Sequence, residues 1–485
     1  MTDLTLLSDA GETSLPNTLR VETGRYVADP GTAVAYRFQA GGSPVNAARV
    51  TVRTLGTTFF AGNLLPNPAI GTTALASASN EAAFSIGSRL ASLKGGIINQ
   101  LLGKLLGTDL SLSVMDYNAL LGADVNLLGF LDALAGKASI TAGTYDDVLN
   151  SDVTVGRFVS ALADVSPGPQ ANAALKAMAA GLASSDTTIP LSHLVSLGPI
   201  GKLALGTEPP GLNANANVMS LITAGAALAD GRHQVALDLD AGLPGIAGAT
   251  LNLAIGEPPR NSPWFSIGEK GQIVRTAQTR LRLVVQVGGP GGLLGASIRV
   301  PIYLELAFAE GQLGDISCPT GRPDSLDVKV NARPGIVEAW LGEVDAAGMD
   351  NFTKSPAVLP AQLVKAPLVS VTGAAHATMS NPSPTVLDFS PSDIRNGAVK
   401  SVSTHDFTGS LFGSLLGDLR LDIKVGGLGL SLPGVLNATL KNVLTAASPA
   451  IDTLLDNVLA TLGIKLGEAD IRVTGGICGR SVLVQ

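Results

Sequence analysis

The spacing of apolar side chains along this chain changes twice. Residues 18 to 54 alternate, most cleanly in Arg49-Val50-Thr51-Val52-Arg53, and Gly24, Asp29-Pro30-Gly31 and Gly41-Gly42 punctuate them as turns. Strands are predicted there. From 85 to 230 the period lengthens. Ile97, Ile98, Leu101, Leu102, Leu105 and Leu106 form a broad helical stripe, and Leu110, Leu112 and Val114 alternating with serines predict a short strand. Asp116 and Asp124 are expected N-caps of two short helices, the second running through Leu127, Leu128, Leu131 and Leu134 to Gly136. Thr144-Tyr145-Asp146-Asp147 reads as a capping box with Asp in place of Glu. Thr154 caps a helix whose inward face is Val155, Phe158, Val159 and Leu162, and 171 to 183 is an Ala-rich helix.

From 231 onward period two returns. Leu251, Leu253 and Ile255 share one strand face, as do Leu281, Leu283, Val285 and Val287, and Ile298, Val300, Ile302, Leu304, Leu306 and Phe308. Val235, Leu237 and Leu239, Leu326, Val328 and Val330, and Leu419, Leu421, Ile423 and Val425 repeat the pattern. Such alternation predicts antiparallel strands with one dry and one wet face. The glycine-rich loop 288 to 295 is expected to join two long strands as a hairpin. Pro301 falls on the polar face, which predicts an edge position or a bulge. Residues 345 to 400 read as a long excursion between strands. Near the end, Ile451, Leu454, Leu455, Val458, Leu459 and Leu462 line one face of a helix that Ser448 is expected to cap, with Pro449 in its first turn and Gly463 at its end. Segments 84 to 114 and 411 to 475 share a plan of strand, Leu-rich helix and strand. The expected fold is therefore α+β: an antiparallel β-rich assembly packed by amphipathic Leu-rich helices, with an inserted helical subdomain. The expected parts are a strand-rich segment 1–80, the helical subdomain 81–230, and a β-rich region 231–485 with a C-terminal amphipathic helix.

Composition narrows the function classes. The 485 residues are 15% charged and 4% aromatic, with Lys+Arg 32 against Asp+Glu 39, a net charge of −7. A nucleic-acid partner would need a basic stripe, so none is expected. No stretch reaches the ~18 apolar residues of a membrane span, and the N-terminus lacks the basic and apolar regions of a signal peptide.

Candidate chemistry is sparse. The four histidines, His193, His233, His376 and His405, sit at no metal-ligand spacing. His405-Asp406 would be half of a triad, but neighbours in a strand point apart and no GxSxG elbow is present. Asp238 and Asp240 share a strand face and read as solvated. Glu305 has no evident partner. Gly103 and Gly107, like Gly409, Gly413 and Gly417, sit at GxxxG spacing, read as small residues packing closely on a sheet. No catalytic, cofactor-binding or metal site is expected. Cys318 and Cys478 allow two readings: a disulfide in an oxidising compartment, worth ~4–5 kcal/mol on the loop-entropy model, or two buried free thiols.

Several phrases carry a resemblance. They are Phe84-Ser85-Ile86-Gly87-Ser88-Arg89-Leu90, Gly95-Gly96-Ile97-Ile98-Asn99-Gln100-Leu101-Leu102-Gly103, Ser111-Leu112-Ser113-Val114-Met115-Asp116-Tyr117 and Leu466-Gly467-Glu468-Ala469-Asp470-Ile471-Arg472-Val473, with Cys478-Gly479-Arg480 after the last. The chain resembles the TadG-like proteins of tight-adherence (Flp/Tad) pilus assembly, in their long proteobacterial branch with a large extracytoplasmic region of unknown function. The resemblance implies a non-catalytic component of the periplasm or cell envelope that contacts other pilus-assembly or envelope proteins. It implies attachment to the inner membrane through an N-terminal anchor that is missing from this chain, and it favours a Cys318–Cys478 bridge. The competing expectation is an envelope protein that binds lipid or another hydrophobic ligand between strands and Leu-rich helices. A third, a hydrolase around His405 and Asp406, is weaker.

Overall fold

The computed structural model describes residues 5–7, 17–27, 31–43, 45–56, 67–87, 95–140, 143–210, 212–229, 234–239, 246–256, 263–276, 278–288, 297–349, 351–352, 354–366, 369–379, 383–403, 410–425, 432–461 and 468–484. The protein is α+β, with antiparallel sheets and packed helices. Its chain divides into two compact units. One comprises Met1–Glu81, Ser317–Leu326 and Ile477–Gln485, and the other comprises Ala82–Ile316 and Asp327–Gly476.

The first unit is built on the predicted N-terminal strands. Asn17–Tyr26 pairs antiparallel with Ala47–Leu55, which pairs with the first part of Ala69–Gly87. Alternation sorts the two faces. Leu19, Val21, Val50, Val52, Ile70 and Ala74 share one; Arg20, Glu22, Arg49, Thr51, Arg53 and Thr73 share the other. Glu22 receives both Arg20 (2.9 Å) and Arg49 (2.7 Å). The apolar face is thinly covered: Val21 is 41% and Ile70 54% exposed. Among the described residues of this unit, only Ala47, Leu75 and Leu326 are buried hydrophobics.

In the second unit, local signals set most helix starts. Thr144 and Asp147 form the predicted capping box, and Thr154 caps Val155–Val165. Asp116 is a correction: it stands three residues inside Val114–Leu121, whose cap is Ser113. Ser113 Oγ accepts from Asp116 N (3.1 Å) and donates to Asp116 Oδ2 (2.7 Å), and Ser113 N donates to the same oxygen (3.0 Å); the two bonds to the carboxylate, the hydroxyl's first, hold it below its ordinary range. Asp124 likewise lies in the strand Asp124–Asn126, and Asn126 caps Leu127–Lys137. The strand expected at 110 to 114 does not form. Asn99 takes both backbone groups of Leu112, donating to its O (2.9 Å) and accepting from its N (3.1 Å), in place of a ladder. Gly103 and Gly107 end the helix Gly95–Leu106 rather than pack on a sheet. Gly107 is left-handed (φ 74°), Thr108 N donates to Gly103 O (2.8 Å), and a Cβ on Gly103 would sit 2.5 Å from Thr108 O.

The eight-stranded antiparallel sheet runs Gln234–Leu239, Ile246–Ile255, Thr279–Val287, Ile298–Leu306, Val337–Leu341, Val369–Met379 and Ala361–Ala366, with Arg420–Val425 also paired to Val369–Met379. Val287 opposes Ile298 as a hairpin requires, and residues 289–296 lie outside the described set. The segment read as an excursion supplies two of these strands, plus Thr385–Phe389 of a separate four-stranded sheet. Pro301 sits on a central strand, not at an edge or bulge. Its O accepts from Gly342 N (3.1 Å), one residue beyond the last paired position, Ile302 opposite Leu341. Its missing N–H therefore faces the point where the neighbouring strand has ended, and no ladder bond is lost.

The helix Leu432–Thr461 is continuous through Pro449, so Ser448 is not its cap. Leu440, Leu444 and Ala447 are buried before the proline as Ile451, Leu454, Leu455, Val458 and Leu459 are after it. One unbroken apolar stripe outweighs the lost hydrogen bond at proline. Ser448 instead donates to Asp452 (3.2 Å), whose carboxylate caps Leu411–Gly417 through Phe412 N (2.9 Å) and Ser410 Oγ (2.6 Å). The long helix packs on that short helix, on Gly95–Leu106 and on strands Thr279–Val287 and Arg420–Val425. Leu462 and Gly463 lie outside the described residues.

Candidate functional site

Two polar centres stand out, both in the second unit. The first lies on the face of the large sheet that alternation marked as wet. In strand register, Arg280 opposes Glu305 and Arg282 opposes Tyr303; Trp340 is opposite Tyr303 on one side and His376 on the other. This face is not wet in its middle. Arg280 is 1% exposed, Tyr303 fully buried, and Val284 6% exposed. The described residues between 344 and 358 fold over it: Val344, Met349, Phe352 and Val358 pack on Tyr303 and Ala254. Arg280 holds this cover in place. It donates to Glu305 Oε1 (2.8 Å) and to the carbonyls of Met349 (3.2 Å), Asn351 (2.8 Å) and Lys354 (3.0 Å), and it stacks on Phe352 at 4.6 Å. Glu305, expected to be unpartnered, is thus the counter-ion of a buried guanidinium. Burial, and then the Glu305 charge, push the Tyr303 hydroxyl well above its ordinary range.

At the rim, Arg282 and Arg299 (2.6 Å) share Glu343. Burial opposes the Glu343 charge, but the two guanidinium groups outweigh it and hold the carboxyl below the ordinary range. His376 stacks on Trp340 (4.9 Å) and meets Glu338 at 2.7 Å, half exposed. These groups bind one another, and Thr378 Oγ1 donates to the same Glu338 carboxylate (2.7 Å).

The second centre is a cleft of about 390 Å³. Three pairings bring its walls together: Asn217 opposite Asp124, Phe265 opposite Ser85, and Arg472 opposite Val399. Arg472 grips Asp124 with both terminal nitrogens, at 3.0 Å and 2.6 Å, across 348 residues of sequence. Gly397 makes this possible. Its φ is 61°, and a Cβ there would sit 2.7 Å from Arg472 Nη2. Asp470, 5% exposed, accepts from Ser401 Oγ. Trp264 borders the cleft beside Gly87. Sequence reading passed over this cleft; Asn215-Ala216-Asn217 and the glycine before Val399 were its local traces.

The remaining expected positions scatter. Cys318 and Cys478 form a pair at disulfide distance in the first unit, Cα atoms 5.9 Å apart. Beside it, Gly479 N donates to Asn80 Oδ1 (2.9 Å) and Arg480 pairs with Glu81 (3.1 Å). His193 lies on the short helix Leu191–Leu194, apart from His376. His233, His405, Asp406, Asp240 and Gly409 lie outside the described residues, as does the Asp238 side chain. Among the described residues, no three His, Cys, Asp or Glu are placed to hold a metal ion, and no helix is long and apolar enough to cross a membrane.

The class so defined is an α+β protein whose polar centres tie strands and loops to one another. Comparison with known families adds two matches. Residues 7–76 match a family model described as putative Tad-like Flp pilus-assembly. Residues 94–227 match a domain of unknown function (DUF8293). No curated protein and no solved structure matches the chain. The first match supports a Tad-related protein with a role in pilus assembly.

Proposed function

We propose that this chain is a TadG-like, non-catalytic component of a Tad/Flp-type pilus-assembly system, acting outside the cytoplasm by contact with other pilus-assembly or envelope proteins. The match of residues 7–76 carries this reading. Within that stretch, the sheet face bearing Val21, Val50, Val52 and Ile70 offers uncharged, partly exposed surface to a protein partner. In an oxidising envelope compartment, Cys318 and Cys478 close as a disulfide and staple the same unit. The division into 1–80, 81–230 and 231–485 belongs to this proposal. The second part is supported by the separate match over 94–227.

The test is genetic and structural together. A strain deleted for the gene is expected to lose surface pili and adherence. Complementation should be restored by the wild-type chain and weakened by Val21→Asp/Ile70→Asp, with both chains present at equal levels. Unaltered piliation in the deletion strain overturns the reading.

A further inference from the structure

The cleft around Asp124 and Arg472 has the chemistry of a ligand site, and we propose that it binds a neutral mono- or disaccharide. This goes beyond the pilus-assembly reading and does not rest on it. The charged groups of the cleft are mostly engaged. Arg472 is spent on Asp124 through both terminal nitrogens, and Asp470 is buried and hydrogen-bonded by Ser401. With two carboxylates against one guanidinium, an anionic ligand is disfavoured. A metal ion lacks a cluster of three acidic, His or Cys ligands among the described residues.

Apart from Arg472 Nε, which is buried without a hydrogen-bond partner, the groups still free to bond are neutral. The Asn215 carboxamide, the Ser85 hydroxyl and the Trp264 indole N–H line the cleft and make no hydrogen bond to the described residues. Together they offer both donors and acceptors. A ring bearing adjacent hydroxyls presents donor–acceptor pairs that a carboxamide and a serine hydroxyl can each bridge, and an indole supplies apolar contact for the C–H groups of the same ring. The 390 Å³ volume falls at the small end of the ~300–1,000 Å³ typical of ligand pockets. The cleft is framed by paired strands, so it stands preformed. Leu121, Gly122, Asp124, Asn215, Asn217 and Ser220 all fall within the stretch matched to the domain of unknown function, which makes the site a function for that stretch.

The test uses the full chain carrying Trp340→Phe, which leaves Trp264 as the single tryptophan of the original two. Maltose, cellobiose and diacetylchitobiose are titrated by calorimetry and by Trp264 fluorescence, with sodium phosphate and spermidine as ionic probes. Saturable binding of at least one disaccharide is expected, with a shifted Trp264 emission, and Asn215→Ala is expected to weaken it about tenfold, the worth of a lost hydrogen bond. Ser85→Ala, a second wall substitution away from the Asp124–Arg472 pair, is expected to weaken it as well. The proposal falls if no disaccharide gives heat or a fluorescence change. It falls equally if binding ignores both substitutions, or if phosphate or spermidine displaces the sugar or binds more tightly.

Discussion

The N-terminal strands Asn17–Tyr26 and Ala47–Leu55, with the first part of Ala69–Gly87, and the eight-stranded sheet are written in the same period-two code, yet they are held in opposite ways. In the first, Val21 and Ile70 stay 41% and 54% exposed, and only Ala47, Leu75 and Leu326 are buried hydrophobics among the described residues of the unit. In the second, apolar side chains pack under the long helix, while the other face disappears beneath Val344, Met349, Phe352 and Val358 and a buried arginine. Alternation alone therefore does not tell whether the second face of a sheet meets water. What decides is whether another segment of the chain can satisfy its polar groups. Arg280 does this by turning three loop carbonyls and one carboxylate into a single hydrogen-bonded centre. A sheet without such cover relies on a staple or on a partner.

The largest expected effect tests the staple. Replacing Cys318 and Cys478 by serine should remove ~4–5 kcal/mol from the first unit on the loop-entropy model. Hydrogen exchange over residues 17–81 should accelerate, while strands Thr279–Val287 and Ile298–Leu306 keep their protection. Equal protection of 17–81 in oxidised and serine forms would show that the sheet needs no staple.

Next comes the buried cation. Arg280→Ala should cost ~3–5 kcal/mol, because Glu305 and three carbonyls lose their donor in a dry site. Arg280→Met with Glu305→Leu should cost much less, since no charge is then stranded. Denaturant midpoints of the two variants decide it; equal losses would mean that packing, not pairing, holds the cover.

A matched pair of valine changes is smaller. Val284→Ser, 6% exposed in the large sheet, should cost ~1–3 kcal/mol by burying an unpaired hydroxyl. Val21→Ser in the open sheet should stay within ~0.5 kcal/mol. If both cost the same in thermal melts, the apolar face of the first unit is covered as well.

The smallest effect is a pH response. Asp393 accepts from Lys400 (2.9 Å), and from Ser390 N and Oγ, and these bonds, Lys400 first, lower its carboxyl to about 2. A depressed folded value means that the stabilisation is present above the ordinary carboxylate range and fades as pH falls through about 2. Lys400→Met should move the Asp393 carboxyl toward its ordinary value in an NMR titration. An unmoved titration would assign the shift to the Ser390 cap alone.

Local features were legible because their partners lie within one turn. Thr144 with Asp147 and Thr154 with Arg157 N are three residues apart, and the sequence already places donor beside acceptor. The same local reading erred where burial competed. Ser448-Pro449 looks like a helix start, yet leucines on both sides keep the helix whole. The polar centres were not legible at all. Glu305 finds Arg280 only through strand register, and Asp124 finds Arg472 only after several elements have met.

By itself, the sequence determined the period of most segments, hence their helix or strand character, together with the Thr144 and Thr154 caps and the α+β class. Tertiary structure alone decided which sheet faces are dry, why a proline survives in a central strand, and how distant Asp and Arg residues line a cleft. The physical reason is range. Capping and periodicity depend on side chains a few residues apart, whereas desolvation and ion pairing depend on which remote segments exclude water from the same place.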